Sequence, residues 1–146
     1  MKRELGTKLE LDDDKARVDR QEVHRWLSEV SYWAAGRQRE TQDRLIDEAW
    51  RVVGLYDGDR QIGFCRAASD GTSFVYLADV YVLDEYRGCG FGEALVRFMI
   101  EDSEYADVPW LLHTTNMHTL YRKLGFDDPD YKVMERRSTS HESASG

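Results

Sequence analysis

Three glycines at alternate positions, Gly88, Gly90 and Gly92, follow an apolar run that stops at Asp84, Glu85 and Tyr86. From Phe91 the apolar residues recur as Phe91, Ala94, Leu95, Phe98 and Met99, the spacing of one helix face, so the glycines sit at a helix N-terminus. Backbone N–H groups there lack helical partners, the helix dipole adds partial positive charge, and glycine lets a bulky anion approach the chain. The pattern predicts a loop that takes a phosphate or pyrophosphate, with a tight turn that binds nothing as the plainer alternative. A Walker loop is excluded because Gly92 is followed by Glu93 and Ala94 instead of Lys and Ser/Thr. A dinucleotide fingerprint would need a third glycine three residues after the second, and would normally sit on a chain's first strand.

Other residues could move protons. Asp79 is the lone carboxylate in the otherwise apolar run 74–82, where desolvation would raise its pKa towards that of a useful base. A buried aspartate satisfied by backbone or by an arginine is the alternative. Tyr121 shares an apolar stripe with Met117, Leu120 and Leu124, which by periodicity alone makes it a core tyrosine. His113 and His118, the latter one helical turn from Tyr121, compete as proton carriers. The adjacent Tyr32 and Trp33 cannot both face the core of one helix, so one could line a pocket, unless the pair is an aromatic lid over the core.

The elements that must position these groups follow from the periodicity. Residues 7–11 alternate as a first strand, ended by the acids Asp12, Asp13 and Asp14. Asp19 with Glu22 predicts an N-cap and its reciprocal partner, opening a helix whose apolar face is Val23, Trp26, Leu27 and Val30, with Gly36 at or beyond its end. Thr41 caps a second helix running to about Trp50, with Leu45, Ile46 and Ala49 inward. Residues 52–56, 62–67 and 74–82, joined through Asp57-Gly58 and Asp70-Gly71, predict a three-stranded antiparallel meander whose last strand is central and covered on both sides. Residues 110–114 predict another central strand, and Thr115 or Asn116 caps a helix over 117–124 that Gly125 stops. Residues 131–135 read as a last strand. One domain over 1–137 results, with 138–146 as a disordered polar tail.

Composition narrows the function classes. A net charge of −8 with no Lys/Arg-rich run argues against non-specific nucleic-acid binding and accommodates a cationic substrate such as an amine. Two cysteines, Cys65 and Cys89, are too few for a disulfide framework, and no Cys/His spacing suggests a metal. No run approaches a membrane span and no apolar leader opens the chain, which makes a reducing cytoplasm the simplest home.

Arg87-x-x-Gly90-x-Gly92 after a strand resembles the acyl-CoA pyrophosphate motif of the GNAT superfamily of N-acetyltransferases. Leu120-Tyr121-Arg122-Lys123-Leu124-Gly125-Phe126 resembles that family's second signature, and the two stand in the family's order. The resemblance covers roughly the whole chain before the tail. It implies an α/β (α+β) fold with a mixed, mainly antiparallel central sheet of six to seven strands flanked by four helices. It implies acetyl-CoA as cosubstrate, and with no Cys/His spacing for a metal none is expected. The pantetheine arm would lie against the strand backbone at Val80, Tyr81 and Val82, and Asn116 would hold its amide. Gly88, Cys89, Gly90, Phe91, Gly92 and Glu93 would present N–H groups to the pyrophosphate beside Arg87.

Direct transfer in this family makes the Cys89 thiol incidental and requires one base and one acid. An alkylammonium with a pKa of about 10 must lose a proton, and a departing thiolate, with a thiol pKa of about 8.5, benefits from a donor. The resemblance implies Tyr121 as that donor and favours Asp79, an acid on the strand where relatives carry one, as the residue that helps deprotonate the amine. Tyr32, Trp33 and Asp79, from their residue types and places in the chain, are the candidates for the acceptor pocket, and His118, one turn from Tyr121, is a candidate to bind substrate. The expected activity is acetyl transfer to a primary amine of a small molecule. A protein or peptide acetyltransferase and a non-catalytic acyl-CoA sensor stay open, as does a homodimer, since paired GNAT domains are frequent.

Overall fold

The computed structural model describes residues 1–6 and 8–139. Its centre is a sheet of six strands among the described residues: β1 (Lys2–Leu5), β2 (Leu9–Asp12), β3 (Arg51–Asp57), β4 (Arg60–Ser69), β5 (Val75–Val82) and β6 (Trp110–Leu111). They lie side by side in chain order, all neighbours antiparallel except the parallel pair β5 and β6. Four helices accompany them: α1 (Arg20–Glu29), α2 (Arg39–Glu48), α3 (Phe91–Glu101) and α4 (His118–Lys123). The mixed, mostly antiparallel architecture expected from the sequence is the one observed.

The helices cover the two sheet faces. From α1, Trp26 stacks on Tyr81 of β5 with ring centroids 4.2 Å apart, a contact worth about 1 kcal/mol beyond its burial. On the other face α3 buries Leu95, Val96, Phe98 and Met99 against β3, β4 and β5. Asp19 caps α1 through the Glu22 N–H at 3.2 Å. The reciprocal half of that cap is not made: the Glu22 carboxylate pairs with Arg25, and the Asp19 N–H donates to Gln61. Val30 lies just past the helix and is 55% exposed, so it is not part of the core face.

Four further expectations are corrected. The N-terminus forms a hairpin of two strands instead of one strand over 7–11, and Thr7 of that expectation lies outside the described residues. Helix α2 begins at Arg39, ahead of Thr41, which lies inside its first turn; Gln38 is the N-cap and makes no side-chain cap bond. The strand over 110–114 pairs for two residues only, at the sheet edge and not its centre. Residues 131–135 form no strand: past Leu111 the sheet edge offers no ladder to extend, and Arg122 ties Asp127 and Asp128 towards α4. Tyr131, Val133 and Met134 stay on the surface. Residues 140–146 of the expected tail lie outside the described residues.

Candidate active site

Strands β5 and β6 meet only at Val75–Trp110 and Tyr76–Leu111. Beyond them β5 keeps its ladder to β4, through Phe64–Tyr81 and Gly63–Val82, while its other edge has no strand partner among the described residues. Val80, Tyr81 and Val82 lie on this stretch, so a notch with one free backbone edge opens there, suited to a ligand that bonds like an added strand. A short 3₁₀ turn, Asp84–Tyr86, carries the chain into the glycine loop. The Arg87 Nε donates back to the Val82 carbonyl at 3.2 Å, and its guanidinium pairs with Asp84.

In the loop Gly88 and Gly90 have φ of 84° and 81°, the left-handed region that favours glycine. A Cβ built on either would meet no atom within 4 Å, so both face open space. Among the described residues no backbone N–H of residues 88–93 donates to a protein acceptor. Six amides at the N-terminus of an 11-residue helix therefore lack a partner, and this fits a diphosphate. A Cβ on Gly92 would lie 3.9 Å from Leu120 and 4.0 Å from Val82, so the start of α3, the end of β5 and α4 converge at the notch.

A bulge lies one turn of backbone upstream. Arg66 pairs with Ala78 and Phe64 with Tyr81, so Asp79 and Val80 together oppose Cys65. Asp79 takes φ of 55°, the one described non-glycine residue with positive φ; aspartate tolerates this better than most residues. The extra residue puts Asp79 on the α1 and α2 face, fully buried. One carboxylate oxygen accepts from Trp33 Nε1 at 3.0 Å, and the other accepts from Arg37 at 2.8 Å and from Arg66 Nε at 2.6 Å. Arg37 also donates to Gln42 Oε1 at 2.9 Å. Burial alone would raise the Asp79 pKa as expected from the sequence, but the charges and hydrogen bonds of Arg66 and Arg37 outweigh it and hold the carboxyl below its ordinary value.

A cavity of 780 Å³ runs along β6 and α4, and Tyr76, His113, His118 and Tyr121 all line it. Tyr121 is buried, its ring edge-on to Phe126, and the structure gives its hydroxyl no partner among the described residues. Burial raises its pKa, with smaller contributions from Cys65 and Tyr32. The Tyr76 hydroxyl and His113 Nδ1 share a 2.5 Å hydrogen bond, and His113 Nε2 lies 3.9 Å from Glu135. Tyr32 and Trp33 are not in the cavity wall. Trp33 reaches inward to Asp79, and the exposed Tyr32 bonds Thr115 Oγ1 at 2.8 Å, joining the segment after α1 to the segment before α4. Asn116 is exposed and outside the cavity; it does not cap α4, whose preceding turn closes through Met117 N–H to Thr114. Arg37, Arg66 and Tyr76 escaped the sequence reading. Arg66, a charge inside the apolar strand 62–67, was the one signal that could have shown the cluster.

Residues 48–128 match the family model described as an acetyltransferase (GNAT) domain. A solved GNAT-family structure from Xanthomonas campestris pv. campestris superposes with a TM-score of 0.84 at 31% identity, covering 90% of this chain and 94% of that one. A Gibberella zeae protein named as an acetyltransferase is 37% identical over 75 residues, 47% of this chain and 40% of that protein. The chloroplastic GCN5-related N-acetyltransferase 1 of Arabidopsis thaliana is 34% identical over 74 residues, 49% of this chain and 38% of that protein. The matches thus span about two fifths of these two relatives' length. Since the matched stretch contains β3 to β6, the glycine loop and α4, and a relative of 31% identity aligns over nearly its whole length, the chain belongs to the GNAT acetyltransferase family.

Proposed function

We propose that the chain is an N-acetyltransferase that passes an acetyl group directly from acetyl-CoA to a primary amine of a small molecule. The observation that carries this reading is the row of six unpartnered amides over residues 88–93, set beside the free edge of β5. Gly88, Cys89, Gly90, Phe91, Gly92 and Glu93 would hold the diphosphate, and the backbone of Val80, Tyr81 and Val82 would hold the pantetheine. Acetyl-CoA supplies an activated thioester; what the chain's own residues do follows from their surroundings.

Tyr121, protonated throughout the working range because burial raises its pKa, offers its hydroxyl hydrogen to the departing thiolate. Asp79 is held ionised by two guanidiniums and is therefore a poor base, so we assign it to fixing Trp33 and Arg37. The amine's proton falls to His113, bonded to Tyr76 in the wall of the cavity that Tyr121 also lines.

The test is thiol release from acetyl-CoA across an amine panel. Release that drops in Tyr121→Phe and in His113→Ala, with acetyl-CoA affinity intact, supports the reading. Acetyl-CoA binding with no release from any amine would make the chain an acyl-CoA sensor.

A further inference from the structure

The buried cluster around Asp79 does not balance. It contains one carboxylate and two guanidiniums, and the side chains of Arg37 and Arg66 are each only 10% exposed. Both carboxylate oxygens are engaged. The structure pairs only Nε of Arg66 and one terminal nitrogen of Arg37, and the Nε2 of the fully buried Gln42 has no partner. Every polar atom left over is a donor. Of these donors only Gln42 Nε2 is buried without a partner among the described residues; the remaining guanidinium nitrogens keep contact with solvent, so a mostly buried group of charges left at +1 presents N–H groups that an anion can reach.

The cluster also lies beside the reaction site. Ala78 pairs with Arg66, and Tyr76 stands two residues before Ala78 on the same sheet face. Arg66 acts on the Tyr76 hydroxyl electrostatically, opposed by Asp79 and Glu135, and Tyr76 lines the cavity that holds Tyr121 and His113. The chain as a whole carries −8, so this spot reverses the sign of its surroundings.

We infer that Arg37 and Arg66, with Gln42 bonded to Arg37 behind them, form a carboxylate-binding subsite for the acceptor, so that the preferred amine also bears a carboxylate, as an amino acid does. A guanidinium fork matches two carboxylate oxygens, and a surplus of one positive charge matches a monoanion better than a phosphate dianion. This assignment rests on the transferase reading for its location beside the acetyl group, and its test separates the two.

Glycine, phenylalanine and glutamate are each compared with the corresponding α-carboxamide, and O-phosphoethanolamine is added as a phosphate-bearing amine. Thiol release from acetyl-CoA is followed in the wild type, Arg37→Gln and Arg37→Lys. Arg37 is varied because Arg66 still neutralises Asp79 in its absence, and thermal melts check that the variants fold. Acids are expected to exceed their amides in kcat/KM by about tenfold to a hundredfold. That ratio should collapse towards unity in Arg37→Gln and recover in part in Arg37→Lys.

Equal rates for acid and amide in the wild type overturn the subsite and leave the transferase reading standing. A preference for O-phosphoethanolamine over every acid overturns the carboxylate assignment. Should no amine release thiol, the transferase reading falls, and calorimetry with N-acetylglycine and N-acetylglycinamide decides the subsite alone: acid-selective binding lost in Arg37→Gln sustains it, and equal or absent binding ends it.

Discussion

The glycine loop and the Asp79 bulge are neighbours on the same strand connection, and they prepare for a ligand in opposite ways. Over residues 88–93 six consecutive backbone N–H groups have no protein acceptor among the described residues, and the chain is open at Gly88 and Gly90. At Asp79 the reverse holds, since both carboxylate oxygens already accept from the side chains of Trp33, Arg37 and Arg66. The loop is a local device whose parts are consecutive residues at a helix start. The bulge cluster is assembled from three chain segments and exists only once the stretch between α1 and α2, β4 and β5 have packed. On the proposed reading, binding of the diphosphate and orientation of the acceptor would thus rest on separable parts of the fold.

The sharpest way to break that separation is Asp79→Ala. Two guanidiniums would lose their buried counter-charge, and denaturant unfolding should show a loss of about 3–5 kcal/mol. A loss well below 1 kcal/mol would mean that the cluster is solvated like a surface pair. Tyr121→Phe, which touches neither device, should lower kcat by about a hundredfold while acetyl-CoA affinity stays near wild type. Gly90→Val forces a β-branched residue to φ of 81° and moves the amides out of line. Acetyl-CoA affinity should fall by about tenfold to a hundredfold, with the Asp79 cluster intact by thermal melt and tryptophan fluorescence.

Acid titration tests the cluster more gently. The folded pKa of Asp79 lies below its unfolded value of about 3.9, so its share of stability is complete above that pH and is lost as pH falls through the lower folded value. Asp79→Asn should be less stable than wild type at neutral pH, with the gap narrowing below about pH 4. The smallest effect is expected from Thr115→Val, which removes the exposed hydroxyl bridge to Tyr32 and should cost about 1 kcal/mol or less.

The same contrast explains what was legible in the sequence. The glycine loop, the start of α3, the meander and the stop at Gly125 were readable because each depends on residues within a few positions of one another. The place of Asp79 was legible, and so was the alternative that an arginine satisfies it, but not which arginines: Arg37 and Arg66 are remote in the chain, and no periodicity reports which strand face a bulge will choose. Strand propensity over 110–114 and 131–135 was real but insufficient, because a strand also needs a neighbour whose backbone groups are free and aligned. The first hairpin strand, Lys2–Leu5, carries mostly exposed charged residues and so lacked the apolar alternation by which strands are recognised.

The join between β5 and β6 is two residue pairs long, and among the described residues it is the ladder that ties the section from Trp110 onward, Tyr121 included, to the sheet. How firmly that last section would close over a guest is then governed by side chains, chiefly Leu120 and Val82, which both border Gly92, and the Tyr32–Thr115 clasp. Single replacements at those points would tighten or slacken the jaw while the five antiparallel strands behind it kept their shape, which makes the width of the opening a property that can be tuned apart from the stability of the fold.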